Sequence, residues 1–179
     1  MAKSSKVDRK IVIVGLNFVK GIGPKMFEKI MDRFDKPEEV LTASKEELCK
    51  IKRLTPNIAA AISTIDLKAL EAELMALEEF GITVVTRYDS AYPENLQAIS
   101  DAPPVLFQNG NFLPEDSRAV AVAGTRKPSK EGVETATELA YGLAKRGFTI
   151  VSGLALGIDT AAHEGALKAN GRTIAVLGS

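Results

Sequence analysis

Two stretches of this sequence put glycines, hydroxyls and charges at a point where an apolar strand gives way to a helix. The first, "AVAVAGTRKPSKEG", brings Gly124, Thr125, Arg126, Lys127 and Ser129 together. The second, "VSGLALGIDTAAH", brings Ser152, Gly153, Gly157 and Asp159, followed by His163, the single histidine of the chain. Helix N-termini carry unpaired N–H groups and a partial positive charge, and glycine lets backbone approach an anion closely. Arg126 can grip a phosphate with two parallel hydrogen bonds, Lys127 adds a point charge, and Thr125 and Ser152 are hydroxyl donors. The chemistry implied is a pair of phosphate cradles. Each loop read alone is equally a packing turn. Neither matches the G-x-G-x-x-G or the G-x-x-x-x-G-K-[ST] pattern. Asp159 and His163 lie four apart on one helix face. They read either as an acid–base pair or as an acid favoured by the helix dipole beside a satisfied histidine.

A third stretch, "GIGP", has Gly21 and Gly23 flanked by Lys20 and Lys25. A helix-hairpin-helix turn of this kind offers backbone amides to a nucleic-acid phosphate without reading its sequence. The competing reading is a tight helix–helix turn with no ligand.

The elements that must hold these stretches follow from the pattern. Residues 1–81 read as a helical module, with Pro24 at a first helical position and Ser44, Thr55 and Asp66 as N-caps. Residues 82–117 read as a connecting segment with short strands at Ile82–Thr86 and Val105–Gln108. From 118 to 179 the order is strand, helix, strand, helix, strand. The strands are apolar on both faces, which predicts half of a doubly wound parallel sheet. Ser129 caps its first helix, and Val133, Leu139, Ala140 and Leu143 are expected to face the sheet. Gly171 is expected to stop the second helix. Right-handed crossovers then bring both glycine loops to the C-terminal edge of the sheet. Unless the runs at Ile82–Thr86 or Val105–Gln108 cover it, Ala119–Ala123 is expected to present an uncovered apolar edge.

Composition excludes several classes. The chain carries 23 basic and 23 acidic residues, so its net charge is zero and a basic patch must be local. One cysteine, Cys49, and one histidine exclude an intrachain disulfide, a cysteine zinc cluster and a histidine-rich metal site. No catalytic group, metal or cofactor is expected. The opening "MAKSSKVDRK" lacks a signal-peptide pattern, and no apolar run approaches the about 18 residues of a membrane span. A cytoplasmic protein is the expectation.

On these residues the chain resembles the DprA/Smf family of DNA-processing proteins. "GTRKPS" matches its G-[ST]-R-x-x-S loop, and "SGLALGIDTAAH" matches its S-G-x-A-x-G-I-D-x-x-A-H segment at the right separation. "GIGPKMFEKIMDRFDKPEEVL" is similar to the family's helical N-terminal module, of the SAM-like, helix-hairpin-helix kind. "YPENLQAISDAPPVLFQNGN" is similar to its approach to the Rossmann-like domain. The resemblance implies an α/β protein that binds single-stranded DNA, protects incoming strands in natural transformation and helps load the RecA recombinase. It implies that Arg126 grips the DNA backbone, with Gly124, Thr125, Lys127 and Ser129 shaping that loop. Ser152, Gly153, Gly157 and Asp159 match the second loop, and Gly21, Gly23 and Lys25 match the hairpin contacts. Leu156 stands where many relatives have a cation. The chain ends at "TIAVLGS", where relatives continue through surface used for homodimerisation, so a C-terminally truncated form is expected. The reading from another class is a nucleotide-binding or nucleotide-processing enzyme of the related lysine-decarboxylase-like group, whose P-G-G-x-G-T-x-x-E loop is absent from these residues. A third is a protein-interaction fragment with no ligand.

Overall fold

The apolar run after Asp8 becomes helix α1 (Arg9–Phe18), capped by the Asp8 carboxylate, which accepts from the Lys10 amide at 2.8 Å. Val12, Ile13, Val14 and Leu16 are all buried. A helix apolar on every side belongs inside, and α1 is the central post of its unit. The computed structural model describes residues 8–178. The basic opening Met1–Val7 and Ser179 lie outside the described residues. The chain divides into two compact units, one ending at Asn111 and the other beginning at Phe112.

In the first unit α1 is surrounded by α2 (Pro24–Arg33), α3 (Pro37–Thr42), α4 (Lys45–Leu48), α5 (Pro56–Ile62) and α6 (Leu67–Glu79). Ser44, Thr55 and Asp66 each accept a hydrogen bond from an amide in the helix they open, as their types predict. The module contains one turn twice. Lys20-Gly21-Ile22-Gly23-Pro24 and Lys52-Arg53-Leu54-Thr55-Pro56 share their geometry. Gly21 and Arg53 both take left-handed backbone, with φ of 98° and 78°. Ile22 and Leu54 are both buried. The amides of these two residues donate to Val19 O and Ile51 O at 2.9 and 3.0 Å. The left-handed backbone favours glycine at the first copy, where a Cβ on Gly21 would press on the flexible end of Ile58, 2.9 Å from its Cδ1.

Strands β1 (Ile82–Thr86) and β2 (Val105–Asn109) pair antiparallel, with Val84 opposite Phe107. The sequence pattern sets residues 82–117 apart as a connector. In the structure the strand pair groups with the helices instead. Val105 joins the same core as Val12 and Phe27. Lys10 Nζ donates to Val84 O at 3.0 Å and pairs with Asp89 at 3.1 Å. The physical reason is that a two-stranded ribbon has no partner for its apolar face and must borrow one. The long connection between the strands holds a short helix, α7 (Glu94–Gln97). It is pinned where the buried Tyr92 donates its hydroxyl to Pro103 O at 2.7 Å.

The second unit runs from a 3-10 turn (Pro114–Ser117) through β3 (Ala119–Ala121), α8 (Lys130–Lys145), β4 (Thr149–Ser152), α9 (Ile158–Lys168) and β5 (Thr173–Ala175). Its strands are parallel in the order β3-β4-β5, with Val120 beside Ile150 and Ile150 beside Thr173. This is the expected half of a Rossmann-like sheet. Both helices cover the Ile150 face, since Ile150 packs with Ala140 and Ala144 of α8 and with Ala162 and Ala166 of α9. Among the described residues β3 pairs with β4 alone and forms one edge of this sheet.

The buried stripe of α8 differs from the expected one. It is Ala136, Ala140 and Ala144, while Val133 and Leu139 are exposed. The reason is a close helix crossing. Any Cβ on Gly165 of α9 would run into the Thr137 carbonyl oxygen, so only small residues fit between the helices. Gly171 serves the same crossing. The left-handed residue that ends α9 is Asn170, at φ 50°, and a Cβ on Gly171 would meet Ala144 Cβ at 2.6 Å.

The entry into the sheet is fixed by Asp116, which is buried. Its carboxylate accepts from Arg172 Nη2 at 2.7 Å, from the Thr149 hydroxyl at 2.8 Å and from the Leu113 amide at 2.8 Å. Burial opposes its ionisation, but Arg172, Leu113 and Thr149 outweigh burial and hold the carboxyl below the usual aspartate range.

Two outcomes follow for stability. A carboxyl with a lowered folded pKa adds stability above its unfolded value and loses it as pH falls through the folded value. Urea midpoints of the second unit, followed from about pH 6 to about pH 2, should drop along an acid limb that Asp116→Asn flattens. That variant should also cost about 1–3 kcal/mol at neutral pH, through the weakened Arg172 contact. Gly165→Ala should cost about 1–3 kcal/mol by overpacking and lower the urea midpoint of the second unit while leaving that of the first unchanged.

Candidate nucleic-acid interface

The two glycine loops do come together, at the C-terminal ends of β3 and β4. The agent is Asp159, in the first turn of α9 and buried. Its Oδ1 accepts from the Gly124 amide at 3.2 Å and its Oδ2 from the Gly153 amide at 3.1 Å. One carboxylate thus bridges the ends of two neighbouring strands. The glycines answer to this closeness. A Cβ on Gly153 would fall 2.8 Å from Asp159 Oδ2, and one on Gly124 would fall 2.7 Å from Ile158 Cγ1. Gly157 has φ 92°, and a Cβ there would collide with the Thr125 carbonyl oxygen. That same carbonyl accepts from the Ile158 amide at 3.2 Å.

Several residues with the right types for phosphate binding use their polar atoms inside the protein. Ser152 is buried and donates its hydroxyl to Val122 O at 2.6 Å. Ser129 caps α8 by accepting from the Gly132 amide at 3.1 Å. Glu131 is held below the usual carboxylate range, chiefly by its own backbone amide and then by the Ser129 hydroxyl. Asp159 and His163 are held by other partners than each other. Thr173 donates its hydroxyl to Ile150 O at 2.9 Å, so it accepts from His163 Nδ1 at 2.7 Å. The histidine reads as a core residue, with Nε2 buried and without a partner among the described residues.

What remains outward is Thr125, Arg126 and Lys127, all exposed. The Thr125 hydroxyl oxygen accepts from the Lys127 amide at 3.1 Å, which shapes the tip of the loop. Among the described residues no carboxylate forms an ion pair with Arg126 or Lys127. Beside them Leu154, in left-handed backbone at φ 56°, and Leu156 are exposed. Sequence reasoning missed Ile158, which fills the space over Gly124. Its only signal is an apolar residue following Gly157, which is too common to single out.

The hairpin candidate sits in the first unit. Gly23, Lys25 and Lys29 line a depression at the start of α2 together with Arg53 and Asp101. Arg53 belongs to the second copy of the turn, so the two copies converge on one surface. Gly21 does not line it; its place is under Ile58. Among the described residues there is no cluster of metal-ligating side chains and no helix long and apolar enough to cross a membrane.

A family model described as DNA recombination-mediator protein A matches residues 83–179, more than half of the chain. One described as a SAM-like helix-hairpin-helix tandem matches residues 15–64, the span that holds both copies of the turn. Protein Smf of Synechocystis sp. is 34% identical over 170 residues, 90% of this chain and 42% of that protein. The DNA processing protein DprA of Streptococcus pneumoniae is 43% identical over 115 residues, 64% of this chain and 39% of that protein. An X-ray structure of DNA processing protein A from Streptococcus pneumoniae matches with a TM-score of 0.71 at 29% identity, covering 95% of this chain and 58% of that one. The chain therefore spans less than half the length of these two curated relatives, and within that span the paired glycine loops and the hairpin tandem stand together. By that combination it belongs to the DNA recombination-mediator protein A family, the DprA/Smf proteins.

Proposed function

We propose that this chain binds the backbone of single-stranded DNA through the Thr125–Lys127 loop, as a binding protein and not as an enzyme. The observation that carries the reading is the exposed Arg126–Lys127 pair. It rises from the end of β3 on a loop fixed from beneath, with no carboxylate paired to it among the described residues. A neutral chain gains phosphate affinity only from such local groups. In this reading Arg126 makes the bidentate contact and Lys127 the second charge. Gly124, Ser129, Ser152, Gly153, Gly157 and Asp159 hold the loop in place. Protection of incoming strands during transformation, delivery of strands to the RecA recombinase, homodimerisation and a cytoplasmic location are proposed with it, on the strength of family membership. The hairpin tandem, through Gly23, Lys25 and Arg53, is proposed as a secondary backbone contact.

Titration of fluorescent oligothymidylate at several salt concentrations tests the main contact. Arg126→Ala should weaken binding and reduce the log–log salt slope by about 0.7, the value for one phosphate on a single strand. Unchanged affinity and slope would remove Arg126 from the site. Competing mononucleotides should not displace the oligonucleotide. Backbone amide shifts separate the two units. On adding oligothymidylate, the Thr125–Lys127 amides should move first, and those of Gly23 and Lys25 only at higher concentration. The reverse order would make the hairpin tandem the principal site.

A further inference from the structure

We propose that Asp159 is a built-in anion that fills the phosphate slot of the paired strand–helix turns, excluding free phosphates and nucleotides from the start of α9 while holding the Arg126 loop in position. The second half of this statement rests on the single-stranded DNA reading; the first does not.

In a nucleotide-binding turn of this architecture, the ligand's phosphate lies outside the strand ends, against backbone amides at a helix N-terminus. Here the amides of Gly124 and Gly153 point from two adjacent strand ends at one buried group, the Asp159 carboxylate. A carboxylate offers two acceptor oxygens and a negative charge, as a phosphate does. Its place in the first turn of α9 adds the favourable end of the helix dipole. The loop bearing Gly157 closes over it, because the Ile158 amide donates to Thr125 O, and the Ile158 side chain lies against Gly124. Thr160 holds the same loop from the other side, donating both its amide, at 3.1 Å, and its hydroxyl, at 2.8 Å, to Ala155 O. A second anion brought to this point would meet a like charge and find the two amides already engaged. The polyanion is left with the exposed tip, where Arg126 and Lys127 can follow a continuous backbone but offer no enclosed pocket for a single nucleotide. Asp159 is then a positioning and specificity residue, one that never touches the DNA.

The test uses 15N-labelled chain of residues 1–179, as wild type, Asp159→Ala and Asp159→Asn, with inorganic phosphate and formate as probes. In the wild type, phosphate should leave the Gly124 and Gly153 amides unmoved. In Asp159→Ala both amides should shift together along one saturation curve with either anion. Phosphate should raise the melting temperature of that variant more than that of the wild type. Oligothymidylate affinity should fall about tenfold, the scale of one lost charge-assisted hydrogen bond, and recover with formate. Should Asp159→Ala fold only when phosphate or formate is present, the assignment is supported by that requirement. Should it stay unfolded with both, Asp159→Asn decides: one glycine amide should keep its wild-type shift and the other lose it. The assignment is overturned if phosphate moves both glycine amides in the wild type. It is equally overturned if neither anion moves them in Asp159→Ala, or if Asp159→Asn leaves both shifts unchanged or alters both alike. If the wild type fails to bind oligothymidylate while the phosphate titrations behave as stated, the DNA reading falls and the filled slot stands.

Discussion

Two parallel strands end side by side in the second unit, and both ends must turn into loops while their amides keep partners. The Asp159 carboxylate meets that demand for Gly124 and Gly153 at once. Much of the local sequence can be traced to it. Gly153 leaves room for the carboxylate, Gly124 for Ile158, and Gly157 for the Thr125 carbonyl. Ser152 adds a separate tie from β4 to Val122. The outward loop with Arg126 is the part of this assembly left free to meet a partner. Under the proposed function, a hydrogen-bonded base beneath a cationic tip suits recognition of a repeating backbone, in which charge position matters and base identity does not.

The first unit is organised by repetition. Two copies of one turn, each with a left-handed residue and a proline opening the next helix, pack around a single apolar helix. The copies differ where the demands on them differ. Gly21 lies against the Ile58 side chain, while its counterpart Arg53 bears a side chain that reaches the surface beside Lys25 and Lys29. An arginine in left-handed backbone costs roughly 1–2 kcal/mol, so its presence there is a departure that asks for a reason.

The features legible in the sequence were the local ones. Asp66, Thr55, Ser44 and Ser129 announce their helices because a cap and its amide lie within three residues. The alternation of strand and helix after Arg118 was equally plain. Long-range geometry was not. Val133 and Leu139 look like the inner face of α8 until the nearness of Gly165 makes alanine the only residue that fits. The segment 82–117 looks like a connector until Val105 is found in the helical core. In the candidate site the residue types point to a bound phosphate, whereas in the structure the Gly124 and Gly153 amides donate to a side-chain carboxylate of the chain. It is Asp159 itself, whose partner Gly124 lies 35 positions away, beyond the reach of any spacing rule.

The alanine seam between α8 and α9 has a consequence for how the second unit opens. Alanine has no side-chain torsions to freeze, so the seam is ordered at little entropic cost. It also buries little area, so the hydrophobic contribution per residue is small, unlike that of the Ile, Leu and Phe core around α1. Cohesion comes from dispersion between surfaces in close register, about a quarter to a half of which is lost once they part by about 0.5–1 Å. Amide hydrogens along α8, β4 and α9 will exchange as one cooperative block, ahead of those of α1, and the loops at the strand ends will be carried with that block.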